Sequence, residues 1–183
     1  AKENLESNVS KYLEKEKDNF NVVILFGYNL NKVLIDITKK ENEKSKLLKI
    51  KYIEVFSNYL EALNLIRELK SNYALYLLSN TNRIHFEECN RRLQQQYFET
   101  FETLFNGLFL SYKIGYRKPS ERIFQHMLSR LGMSPQQILF IDDLEENIRS
   151  AESLGINVIH LTDNRKIASL VREKLADYEL QAR

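Results

Sequence analysis

A single cysteine, Cys89, is all that this chain contains, so it can form no internal disulfide. Charge of one sign is lacking as well. The 27 Lys and Arg against 25 Asp and Glu leave a formal net charge of +2, which marks the chain neither for nucleic acid nor for an acidic membrane surface. No apolar run approaches the roughly 20 residues needed to span a bilayer. No internal repeat or low-complexity tract interrupts the chain, and the Gln94-Gln95-Gln96 triplet is too short to carry meaning. The first residues, Ala1 to Glu6, are charged rather than apolar, so no secretory leader is expected in this sequence. These absences predict a soluble, cytoplasmic protein with no nucleic-acid partner and no membrane partner.

What is present is enough for one core. With 183 residues and 43% apolar content, the chain predicts a single domain over 1–183. Residues 1–20 read as a peripheral helix, charged and with a thin apolar stripe at Leu5, Val9, Tyr12 and Leu13. Val22 to Phe26 is an unbroken, β-branched run of the kind found in a strand covered on both faces, and Val33 to Ile37 is a second. The polar stretch 38–51 reads as a loop. From Tyr52, the positions Ile53, Phe56, Leu60, Leu63, Ile66 and Leu69 recur every three or four residues, which predicts an amphipathic helix packed on a sheet.

Strand and helix then alternate to the end: strand Tyr73 to Leu78, helix Arg83 to Gln95, strand Leu108 to Ser111, helix Glu121 to Leu131, strand Ile138 to Ile141, helix Leu144 to Leu154, strand Ile156 to Leu161, and a last helix from about Arg165. Ser120 is placed to cap the Glu121 helix and Gly132 to end it, with Gly155 closing the Leu144 helix. Such alternation implies βαβ crossovers and a parallel sheet.

Four short pieces carry the chemistry. Asp142 and Asp143 follow the apolar run Ile138-Leu139-Phe140-Ile141, which sets two adjacent carboxylates at a strand end. Two negative charges there call for a neutralising cation, and Mg²⁺ suits them because it takes one or two carboxylates plus phosphate oxygens. The plainer reading is that one aspartate caps the helix beginning near Leu144. Lys118, in Gly115-Tyr116-Arg117-Lys118-Pro119, is either a solvated turn lysine or a cation that offsets charge gathering during phosphoryl transfer. Ser79 and Asn80 close an apolar strand just before a helix. There a hydroxyl and backbone N–H groups bind a phosphate oxygen, unless Ser79 is simply a helix cap. His85 reads as a helix residue near the site with no assigned chemistry.

The order Leu77-Leu78-Ser79-Asn80-Thr81-Asn82, Arg117-Lys118-Pro119, Phe140-Ile141-Asp142-Asp143, Glu146-Asn147 resembles the second to fourth motifs of the haloacid dehalogenase-like (HAD) hydrolase superfamily. The resemblance implies a three-layer, Rossmann-like α/β fold, a parallel sheet with helices on both faces. It also implies a Mg²⁺-dependent phosphatase acting on a small phosphorylated substrate through an aspartyl-phosphate. In that pattern Ser79, Asn80 and Lys118 bind phosphate, Lys118 is also catalytic, and Asp142 and Asp143 hold the metal. A dehalogenase is disfavoured, because the aspartate pair reads as a metal site and dehalogenation needs none.

The first motif departs from the family, and two alignments are open. If Val33-Leu34-Ile35-Asp36 matches the segment after the nucleophile, Asn29 stands at the nucleophile position, where an amide cannot attack phosphate. If Leu34-Ile35-Asp36-Ile37-Thr38 is the motif itself, Asp36 is the nucleophile and Thr38 replaces the acid/base carboxylate. The strand-like run Val22 to Phe26 favours the first alignment, which leaves a degenerate binding or interaction protein as the alternative function. The short spacing from Asn29 to Ser79 also predicts that the substrate-selecting cap is absent or reduced to 38–51.

Overall fold

The computed structural model describes residues 23–26, 60–163 and 166–181. The N-terminal helix expected at 1–20, the second apolar run, the loop or reduced cap at 38–51 and both nucleophile candidates, Asn29 and Asp36, lie outside the described residues. β1 (Val23–Phe26), β2 (Ala74–Ser79), β3 (Gly107–Leu110), β4 (Ile138–Asp142) and β5 (Asn157–His160) form one sheet in the order β3-β2-β1-β4-β5. Every pairing in it is parallel. The chain builds outward from β1 to β2 and β3, then crosses to the other side for β4 and β5. The switch point therefore falls between β1 and β4, where open α/β sheets bind ligands.

Both faces of the sheet are covered, and the two-residue period of the strands decides which side chain joins which core. Leu75, Leu77, Leu139 and Ile141 face one core, built with the helix 60–69 (α1), α2 (Arg83–Tyr97), α3 (Phe101–Leu104) and α7 (Ile167–Gln181). Ala74, Tyr76, Leu78, Ile138 and Phe140 face the other, packed by α5 (Glu121–Leu131) and α6 (Glu145–Glu152). The described residues are thus the three-layer α/β sandwich that the alternation predicts. Phe124 and Phe140, both fully buried, meet edge to face at 5.2 Å between ring centroids.

The elements start and stop for local reasons. In α1 the buried side chains are Leu63, Leu65, Ile66 and Leu69, whereas Leu60, expected in the stripe, is 43% exposed. Asn82 caps α2 by accepting from the His85 N–H at 2.9 Å, and the helix closes on Phe98 in the left-handed conformation. Gly132 ends α5 as expected, with φ +62°, but Ser120 stands at its N-cap without a side-chain cap bond. α6 stops at Glu152, before the expected Leu154, and Gly155 completes the following turn with φ +80°. Two short helices went unread in the sequence, α3 and α4 (Ser111–Ile114), along with a 3₁₀ turn at Pro135–Gln137. None has the length to show a helical period.

Candidate functional site

The end of β4 is the fixed point of the site. Ile138 to Ile141 are fully buried, and this apolar strand carries Asp142 in with it at 0% exposure. A buried carboxylate needs partners, and Asp142 has three. Its Oδ2 receives the Lys118 ammonium at 2.6 Å. Its Oδ1 accepts from the Leu144 backbone N–H at 2.9 Å and from Asn147 Nδ2 at 2.8 Å. The bond from the Leu144 N–H closes a local turn two residues long and is not a helix cap, since Leu144 is itself the N-cap of α6 and that helix has no side-chain cap bond. Asp142 braces this turn and holds the lysine at once.

Lys118 is nearly as buried as its partner, and Phe140 lies beneath its ammonium at 5.6 Å from the ring centroid. Burial pushes its pKa below the ordinary lysine value, against the pull of Asp142 and, more weakly, Asp143. Its backbone is held from β2: the Lys118 N–H donates to Asn80 Oδ1 and Asn80 Nδ2 donates to the Lys118 carbonyl, both at 2.8 Å. This double tie makes Asn80 a positioning residue for Lys118. The Lys118-Pro119 peptide is cis.

Ser79 is the last residue of β2, paired in register with Leu110. The residue that caps α2 is Asn82, not Ser79. The Thr81 N–H, one of those expected to face an anion, is instead taken by Ser111 Oγ at 3.0 Å, which also donates to the Thr81 carbonyl.

The structure therefore links Asn80, Lys118 and Asp142 by direct bonds, with Ser79 and Asp143 their chain neighbours. Asp143 Oδ1 is buried and has no hydrogen-bond partner. A hard, orphaned carboxylate oxygen beside a cation-held aspartate is a donor that fits Mg²⁺. Arg117 and Glu146 are exposed, and His85 is half-buried with an unpartnered Nε2.

Two residues escaped the sequence reading. Asn147, only 2% exposed, belongs to the Glu146-Asn147 piece, but nothing in the sequence told that its amide reaches Asp142. Ser111 looked like any serine at a strand end. The register adds one more fact: Phe26 pairs with Leu77 on one side and Ile141 on the other, so β1 ends level with the residue before Asp142.

A family model for haloacid dehalogenase-like hydrolases matches residues 7–155. A sesquiterpene phosphatase of Aspergillus oryzae is 33% identical over 102 residues, 55% of this chain and 49% of that protein. A D-ribitol-5-phosphate phosphatase of Bacteroides thetaiotaomicron is 33% identical over 97 residues, 52% of this chain and 47% of that one. The chain thus spans about half the length of the curated relatives it matches. Among solved structures, a HAD family enzyme of Bacteroides thetaiotaomicron in complex with magnesium and inorganic phosphate aligns with a TM-score of 0.52 at 34% identity, covering 55% of this chain and 50% of that one. A HAD-like hydrolase structure from Porphyromonas gingivalis aligns over 82% of this chain and 97% of its own, with a TM-score of 0.60 at 24% identity, a likeness of fold.

Proposed function

The chain belongs to the haloacid dehalogenase-like hydrolase family, and on that premise we propose that it is a Mg²⁺-dependent phosphatase acting on a small phosphate ester. The observation that carries this reading is the sealed Lys118–Asp142 pair at the end of β4, with the orphaned oxygen of Asp143 beside it. Lys118 is held where its ammonium offsets the charge of a nucleophile and a phosphoryl group, which is the electrostatic work that phosphoryl transfer requires. Asp143, with phosphate oxygens and water, would hold Mg²⁺, which when bound supplies further charge neutralisation. Ser79 at the end of β2 supplies a hydroxyl to a phosphate oxygen, and Asn80 keeps Lys118 in place. Asp36, the first carboxylate after Phe26 in the chain, takes the phosphoryl group as an aspartyl-phosphate that water then cleaves. The two curated relatives, one handling a sesquiterpene and one a sugar-alcohol phosphate by name, support a small phosphorylated substrate.

One observation favours a second reading, a protein that binds a phosphate ester without turning it over. β1 already fills the central place between β2 and β4, and Gly27 to Ile35, which follow it in the chain, include no carboxylate. In this reading Asn29 stands where the nucleophile belongs. Hydrolysis of para-nitrophenyl phosphate with Mg²⁺ separates the two. The phosphatase reading expects turnover that EDTA and Asp36→Asn both abolish; an inactive chain that gains hydrolysis on Asn29→Asp establishes the second.

A further inference from the structure

The neighbouring aspartates are in unlike states. Both lone pairs of Asp142 Oδ1 are taken, by Leu144 N–H and Asn147 Nδ2, and its Oδ2 is committed to Lys118. Asp143 Oδ1 is buried with no partner, and so is Asn147 Oδ1 one helical turn on. Among the described residues no group of three or more His, Cys, Asp or Glu is gathered to hold a metal ion. The chain also places no Asp or Glu in the nine positions after β1, Gly27 to Ile35. The cluster itself holds one ammonium and two carboxylates, a formal sum of −1.

We infer that a divalent cation and a phosphate bind this site only as a pair, neither holding tightly without the other. The inference rests on the phosphate-handling reading and adds to it the coupling of the two binding events. Mg²⁺ sheds water reluctantly and is held by one or two carboxylates together with phosphate oxygens. With Asp142 committed to Lys118, Asp143 carries the one buried carboxylate oxygen without a hydrogen-bond partner among the described residues. A phosphate alone meets a cluster of net negative charge, whose ammonium is already paired with Asp142. Together, the phosphate supplies the oxygens the cation lacks, and the cation reverses the sign of the charge the phosphate meets. The coupling is reciprocal: each ligand tightens the other by the same factor.

Isothermal titration of the full chain with Mg²⁺ and with inorganic phosphate tests this. The expected result is no saturable heat from either up to about 10 mM alone, and saturable Mg²⁺ binding at least about tenfold tighter once phosphate is present, with the same factor in the converse titration. Asp143→Asn should remove the joint signal while leaving the thermal midpoint in place. Mg²⁺ alone binding below about 1 mM, indifferent to phosphate, overturns the inference; if para-nitrophenyl phosphate is still hydrolysed, the proposed function stands without it. Silence in every titration, the mixture included, overturns the inference, and together with no hydrolysis of para-nitrophenyl phosphate it overturns both.

Discussion

Lys118 Nζ lies 2.6 Å from Asp142 Oδ2, and the two side chains are only 3% and 1% exposed. Both charges have left water for each other, so removing one strands its partner. Lys118→Met is expected to cost about 3–5 kcal/mol in urea unfolding, the range for breaking a buried pair. Adding Asp142→Asn should restore part of that loss, since no buried charge then remains uncompensated. Strictly additive losses from the two substitutions would show that the pair is not coupled.

The apolar strands could be read because parallel, two-sided burial leaves unbroken runs, and Ile138 to Ile141 led straight to Asp142. Lys118 and Asp142 could be brought to one site because each stands in one of the four short pieces, with a helix and a strand between them. The amides could not be read: Asn80 acts on Lys118, 38 positions away, and Asn147 on Asp142, and an Asn in sequence does not name its partner. Leu60 shows the same limit, since a helical period says which face is apolar but not where the sheet stops covering it. The first motif stayed undecided because Asn29 and Asp36 each follow an apolar run, and both lie outside the described residues.

Phe98 ends α2 at φ +59° with 85% of its surface exposed. A side chain gains little from that exposure, while its Cβ makes the left-handed conformation cost about 1–2 kcal/mol. Phe98→Gly is therefore expected to stabilise the fold by about 0.5–1 kcal/mol, after the extra chain entropy of glycine is subtracted. A lower thermal midpoint for the variant would contradict this.

Burial pushes the Cys89 thiol from 9.0 up to about 11. The folded state therefore disfavours the thiolate: its contribution to stability is complete below pH 9 and is lost as pH rises from 9 toward about 11. At pH 8, a thiol shifted this far carries about a hundredfold less thiolate than an ordinary one. Ellman's reagent should react slowly with the native chain and quickly in denaturant. Rapid reaction under native conditions would place Cys89 outside the core.

The claim that phosphate chemistry is done at the end of β4 is tested most directly by the Mg²⁺-dependent turnover of para-nitrophenyl phosphate by the unmodified chain and by Asp143→Asn. Asp143 makes no hydrogen bond through its buried Oδ1, so the variant should fold with an unchanged thermal midpoint. The account predicts measurable turnover by the unmodified chain and a loss of at least about a hundredfold in the variant, the scale on which a charge-stabilising group acts. Turnover that survives Asp143→Asn undiminished would contradict it.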